Sequence, residues 1–243
     1  MIFTDICTKE YTTRVVAALA LTIALMPAQN VTAQKKDENR LQANNTDVND
    51  IVAKIQAQYA SAVDYQATFV QTTSHKMFAG RLERSYGVVK FRKGGLMRWE
   101  YQRPEKKLFI YDGKMLWIYE PEVPQIFSGA ADAERLRRAL AFLTGEGKIL
   151  EEYNVEILDA KKYHFNKGVV LGLSPKDNKS PYKKIELYVE TPGYRVIRSV
   201  VVDHEKNRNR LDFSDPKFGA GIPASAFTFT PPAGVPVLTP DQQ

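Results

Sequence analysis

Apolar and polar residues alternate with a period of two over most of this chain, the pattern of β-strands with one dry and one wet face. In Val88-Val89-Lys90-Phe91-Arg92, Val89 and Phe91 point away from Lys90 and Arg92. Beyond Gly94-Gly95, Met97, Trp99 and Tyr101 oppose Arg98 and Glu100, and later Ile185, Leu187 and Val189 alternate with Lys184, Glu186 and Glu190. The pattern predicts strands over Tyr65–Thr73, Tyr86–Arg92, Leu96–Gln102, Lys107–Tyr111, Met115–Glu120, Tyr153–Leu158, Gly168–Leu173, Lys183–Glu190, Tyr194–Asp203, Arg208–Phe213 and Phe227–Thr230. Gly94-Gly95, Asp112-Gly113 and Pro192-Gly193 mark turns, the second as a type I′ hairpin whose two central residues need φ > 0. Leu108–Tyr111 and Val200–Val202 are apolar on both sides, so alternation assigns them no face.

A helical period is confined to two segments. Val48, Ile51, Val52, Ile55 and Tyr59 line one face of a helix, with Asp47 as N-cap and Asp50 in the first turn. A second helix is predicted over Ala133–Thr144, with Leu136, Ala139, Leu140 and Leu143 on one face, Arg135, Arg137 and Arg138 on the other, and Gly145 as the stop. Lys148–Glu152 adds a short further turn. Two such segments are too few for βαβ units. The fold class is therefore mainly β (α+β), a large antiparallel sheet of about eleven strands whose apolar face is covered by amphipathic helices. Periodicity leaves open whether the space beneath those helices is packed solid or partly open.

The N-terminus reads as an export signal. Lys9 and Arg14 precede an uncharged apolar run from Val15 to Met26, and Val31-Thr32-Ala33 offers a small-residue cleavage site. The run is shorter than the about 20 residues that cross a bilayer. Residues 1–33 are thus expected to be a signal peptide, Gln34–Thr46 a polar, flexible lead-in, and 47–243 the folded domain. Cys7, the one cysteine, lies before the apolar run, where it cannot accept a lipid anchor, and cleavage removes it. A thiol-free mature chain suits an oxidising compartment, most simply the periplasm.

Composition mainly excludes. With 44% hydrophobic and 26% charged residues the chain is an ordinary globular protein. One cysteine rules out a disulfide framework, and His75, His164 and His204 are too scattered to pair as metal ligands. G-x-S-x-G, H-E-x-x-H and phosphate-loop motifs are absent, so no catalytic residue, metal or cofactor is expected. The balance of 34 basic against 28 acidic residues, +6, and the run Asn207-Arg208-Asn209-Arg210 raise nucleic acid as a partner. An exported chain rarely meets nucleic acid, and the run is read as an exposed hairpin. Its basic residues leave open an acidic protein or anionic headgroups. Asp212 and Asp215 read as turn residues, and Glu151-Glu152 as solvated charges at a helix end. The aromatic cluster Trp99, Tyr101, Tyr111, Trp117 and Tyr119 reads either as sheet core or as the wall of a greasy pocket.

Arg98-Trp99-Glu100-Tyr101, Pro104, Asp112-Gly113-Lys114, Leu116-Trp117, Tyr119 and Pro121 form a spaced set that resembles the periplasmic lipoprotein carrier family, LolA. Phe227-x-Phe229-x-Pro231-Pro232-x-Gly234-Val235 is similar to that family's closing signature. The resemblance spans Val48 to Val237 and implies an incomplete antiparallel β-barrel whose concave, apolar face is lidded by helices. It implies no enzyme but a monomeric carrier that takes triacylated lipoproteins from an inner-membrane lipoprotein-releasing ABC transporter, shields their acyl chains, and passes them to an outer-membrane lipoprotein receptor. The missing lipid-anchor cysteine favours carrier over receptor. Met97 and Trp99 match apolar positions on the strand at the ligand mouth, and the family's basic lid latch falls at Lys93 or Arg92, where Gly94 replaces the family's proline. The expected acyl-chain lining is Val89, Phe91, Met97, Trp99, Tyr101 and Leu187 from the sheet, with Leu136, Leu140 and Leu143 from the lid helix. Arg98 and Glu100 are expected in solvent, so a charge at Met97 or Leu140 should abolish uptake while one at Arg98 should not. The competing classes are a periplasmic lipid or lipoprotein sensor and a lipid or glycan hydrolase.

Overall fold

The computed structural model describes residues 47–76, 81–123, 125–129 and 149–239. Those from Val48 onward belong to one compact unit. Among the described residues the strands are β1 (Asp64–Ser74), β2 (Leu82–Arg92), β3 (Leu96–Arg103), β4 (Lys107–Tyr111), β5 (Leu116–Glu120), β6 (Gln125–Gly129), β7 (Tyr153–Leu158), β8 (Gly168–Pro175), β9 (Tyr182–Glu190), β10 (Arg195–Asp203), β11 (Arg208–Phe218) and β12 (Val237–Leu238). They form a single sheet in the order β12-β6-β5-β4-β3-β2-β1-β11-β10-β9-β8-β7. Two antiparallel meanders, β1–β6 and β7–β11, meet where β1 pairs β11, and β12 adds in parallel beside β6. The ladder does not return from β7 to β12, so the fold is an incomplete β-barrel.

Helix α1 covers residues 47–61 among the described positions, so Asp47 is itself helical rather than the cap. Val52, Ile55 and Tyr59 are buried, as their spacing predicts. The Tyr59 ring packs against Tyr65 and Phe218, and its hydroxyl accepts the Val196 N–H at 3.1 Å, which fixes the helix on the face of β1, β11 and β10. That face is called inner below. The short helix α2 (Ile149–Glu152) buries Ile149 and leads into β7. The predicted helix Ala133–Thr144 lies outside the described residues.

Three expectations need correction. Phe227–Thr230 is not a strand: Ala224–Phe227 forms a 3-10 turn, and the last pairing is Val237 with Ile126 and Leu238 with Phe127. β6 lay unpredicted after Pro121 and Pro124, which punctuate the sequence just before a short run. The Asp112-Gly113 hairpin exists, but only Gly113 has positive φ, at 96°. The loop runs from Tyr111 to its partner Leu116, too long for a type I′ turn. Asp112 instead organises it with its side chain: one oxygen accepts the N–H groups of Lys114 and Met115, the other accepts the Trp117 indole N–H at 2.9 Å.

The strands that alternation could not orient have two cores to serve. On the outer face of β8–β10, Val170, Tyr188 and Val200 cluster with Leu158 at the end of β7 and with Tyr163 and Phe165 of the loop between β7 and β8. On the outer face of β3–β6 the C-terminal segment crosses as a strap, with Phe229 against Trp117 and Tyr119 and Phe227 fully buried. Ile110 and Val200 are therefore buried on the outside and Phe109 and Tyr111 on the inside.

Candidate functional site

Antiparallel pairing puts opposed residues on one face, so the register identifies the inner lining directly. One row runs Tyr65–Phe91–Met97–Tyr111, and the next runs Ala67–Val89–Trp99–Phe109. A third joins Phe213, Phe69, Gly87 and Tyr101. Val89, Phe91, Met97, Trp99 and Tyr101 thus share one face on neighbouring strands, all buried. Leu187 is buried on the same face of β9, in a row Leu171–Leu187–Ser199–Leu211–Gln71 that crosses the β1–β11 junction. Leu136, Leu140 and Leu143 lie outside the described residues.

The centre of the lining is an aromatic mesh. The Phe69 ring stands 5.0 Å from both Trp99 and Tyr101, edge to face, while Trp99 meets Phe91 at 6.0 Å and Phe213 at 6.5 Å. Gly87 makes this possible. A Cβ there would lie 2.7 Å from the Phe69 ring and 2.1 Å from the Glu100 carbonyl oxygen, so any side chain would expel Phe69. Sequence reasoning passed over Phe69, Phe213 and Gly87; a glycine inside an otherwise regular strand was the available signal.

The inner face carries no buried charge. The buried charged residues among those described, Asp64 and Glu186, both point outward. At its edge the Gln71 amide donates to the Asn209 side-chain oxygen at 2.9 Å. Burial pushes the phenols of Tyr65 and Tyr101 well above their ordinary range, so both stay neutral. Among the described residues no group of three His, Cys, Asp or Glu gathers in a metal-binding arrangement. Such a face can hold apolar matter.

The family whose description is outer membrane lipoprotein carrier protein LolA matches residues 60–230. The chain belongs to this family. Relatives named outer-membrane lipoprotein carrier protein include one from Chromobacterium violaceum, 29% identical over 78% of this chain and 88% of its own, and one from Nitrosomonas europaea, 28% identical over 73% and 83%. An uncharacterized conserved protein from Thermus thermophilus shares the fold, with a TM-score of 0.51 at 14% identity over 79% of this chain and 98% of that one.

In this LolA-family chain the residues next to the lining are committed to the strap. The Asp64 carboxylate accepts the N–H groups of Ala220 at 2.6 Å and Ile222 at 3.0 Å. Arg92 lies 3.8 Å from that carboxylate and donates to the Ile222 carbonyl at 2.6 Å. Lys93 is exposed at the turn after β2. Arg98 and Glu100, expected in solvent, are half-buried. Arg98 donates to the Ala226 carbonyl at 3.1 Å and pairs with Glu100, which also meets Lys90 at 3.4 Å. The polar side of β3 faces a covering segment rather than water, so a change at Arg98 is no neutral control.

The Asn207–Arg210 run lies in the β10–β11 hairpin, as expected, but is not a free basic surface. Asn207 is buried in the turn, bonded to Asp203, and Asn209 is buried on the inner face of β11. Arg208 pairs with Glu186 at 2.9 Å and Arg210 with Asp212 at 2.5 Å. Asp212, expected in a turn, sits within the strand and also holds Arg198 at 2.5 Å.

Proposed function

We propose that this chain is a periplasmic carrier whose inner face shelters the acyl chains of triacylated lipoproteins between a releasing ABC transporter in the inner membrane and a receptor at the outer membrane. The observation that carries this reading is the inner face of a LolA-family sheet, free of buried charge among the described residues and continuous from Met97 and Trp99 on one meander to Leu187 on the other. The same absence of buried charge speaks against the hydrolase alternative. The residues proposed to contact acyl chains are Val89, Phe91, Met97, Trp99, Tyr101 and Leu187, to which Phe69 and Phe213 are added.

Energetics explain why such a carrier can release its load. Burying hydrocarbon is worth about 0.8 kcal/mol per CH₂, so three long chains represent tens of kcal/mol gross. Non-covalent affinity levels off near about −18 to −21 kcal/mol. Trp99 is fully buried with its rings in mutual contact, so incoming chains displace existing apolar packing instead of replacing water. Loading gains only the difference between the two packings. Transfer to a receptor that binds better then needs no nucleotide on the carrier.

The test uses the chain's two tryptophans. Trp117→Phe leaves Trp99 as the reporter and retains a ring against Phe229. A triacylated lipopeptide with brominated chains is expected to quench Trp99 emission, and the unacylated peptide to leave it unchanged. Tight binding without quenching would place the chains elsewhere and overturn the assignment.

A further inference from the structure

The outer face of β2 and β3, at the start of β2 and the end of β3, is cationic in a way the lining does not explain. Leu82, Arg84 and Tyr86 alternate along β2 and share the outer face. Arg84 stands opposite Thr72, which stands opposite Arg210, so the two arginines flank β1 at roughly 10 Å. Tyr86 is paired with Arg103, whose guanidinium lies 4.9 Å over the Tyr86 ring. Arg84 and Arg103 are exposed, and Leu82 is 55% exposed beside them.

The carboxylates nearby are already engaged. Asp212 is shared by Arg198 and Arg210, and Glu186 is held by Arg208. Glu83 lies 3.8 Å from Arg81, and Glu105 lies 3.1 Å from Lys107. Among the described residues Arg84 and Arg103 have no carboxylate partner, which leaves this face with excess positive charge in a chain of net charge +6. Guanidinium forks suit phosphate, and a protruding leucine beside a tyrosine suits the headgroup–acyl boundary.

We propose that this face, with Arg84 and Arg103 at its centre, docks the protein on bilayers rich in anionic phospholipid, separately from the acyl-chain face. The choice of a bilayer over another polyanion rests on the carrier reading, because the cargo starts and ends its journey at membranes. Each basic residue at an anionic surface contributes about a fivefold gain in partitioning, the equivalent of about 1 kcal/mol.

The mature chain is mixed with vesicles of phosphatidylcholine alone or with phosphatidylglycerol, and bound protein is measured by sedimentation. Binding is expected on the phosphatidylglycerol vesicles alone, and to weaken as the Debye length falls from about 30 Å to about 8 Å with added salt. The double variant Arg84→Gln/Arg103→Gln should bind about 25-fold more weakly. Lys114→Gln/Lys179→Gln removes the same charge from two exposed turns and should change binding less than about twofold. No vesicle binding by the parent chain, no effect of the arginine pair, or equal loss in both doubles would overturn the proposal. Retention on a soluble polyanion without vesicle binding would do so too. The Trp99 quenching assay separates the two claims: it should be unchanged in both doubles, and its failure would count against the carrier reading while vesicle binding still tested this surface.

Discussion

Asp64→Ala is the sharpest probe of how the strap is held. The Asp64 side chain is 2% exposed and accepts two backbone N–H groups, from Ala220 and from buried Ile222. Removing it leaves both donors without their acceptor and leaves Arg92 facing a gap where a carboxylate stood. An unsatisfied buried donor costs about 1–3 kcal/mol, and hydrogen bonds to a charged acceptor lie toward the upper end. Ala220 is partly open to water, so the full penalty falls on Ile222 and a smaller one on Ala220. The sum is about 3–4 kcal/mol. Each kcal/mol shifts the Tm of a domain this size by about 2–4 °C, giving an expected fall of about 6–16 °C. Asp64→Asn keeps one acceptor oxygen and should lose about half as much. Circular dichroism melts report the loss, and limited proteolysis with mass mapping reports whether cleavage begins within 219–238. A Tm within about 2 °C of the parent, with the strap still protected, would refute the view that this carboxylate anchors it.

Two further outcomes follow from the same geometry. Met97→Gln places an amide on the apolar lining and should weaken acylated-lipopeptide binding about tenfold, the effect of burying one poorly paired polar group, whereas Gln102→Glu on the exposed end of β3 should not; equal losses in a titration of Trp99 emission would undo the face assignment. Burial alone would raise the Glu100 carboxyl, but its bond to Arg98 and the nearby Lys90 outweigh that and hold it below its ordinary value of 4.5. A lowered folded pKa contributes stability present above the ordinary value and lost as pH falls through the folded one. The Tm gap between the parent and Glu100→Gln should therefore shrink from pH 5 toward pH 3, and a constant gap would contradict it.

Much of the sheet was legible because period-two alternation is a direct imprint of a two-faced strand. Met97, Trp99 and Tyr101 fall inside on that ground alone, and Leu187 with them. What alternation cannot state is what covers each face. Arg98 and Glu100 look solvated by pattern, yet a strap more than 120 positions later lies over them. Phe227-x-Phe229 alternates like a strand, but its aromatic residues dock on Ile110's side of the sheet without pairing. β12 joins β6 through two residues, below the length at which any period can be read. Arg208 and Arg210 look like a free basic run because Glu186 reaches Arg208 from β9, across β10, and Asp212 meets Arg210 only because both face the same side of β11.

The junction of the two meanders has a consequence for how the molecule comes into being. Thr68 bonds to Ser214, 146 positions further along, so the middle of the sheet can close only after most of the chain is available. A chain still threading through a pore, or still leaving a ribosome, can zip its hairpins but cannot seal its centre until β11 has emerged. Pairings so remote in sequence make for slow assembly. Until then the aromatic mesh lacks the wall that Phe213 supplies, and a helper that masks greasy half-sheets would find its substrate in that unfinished form.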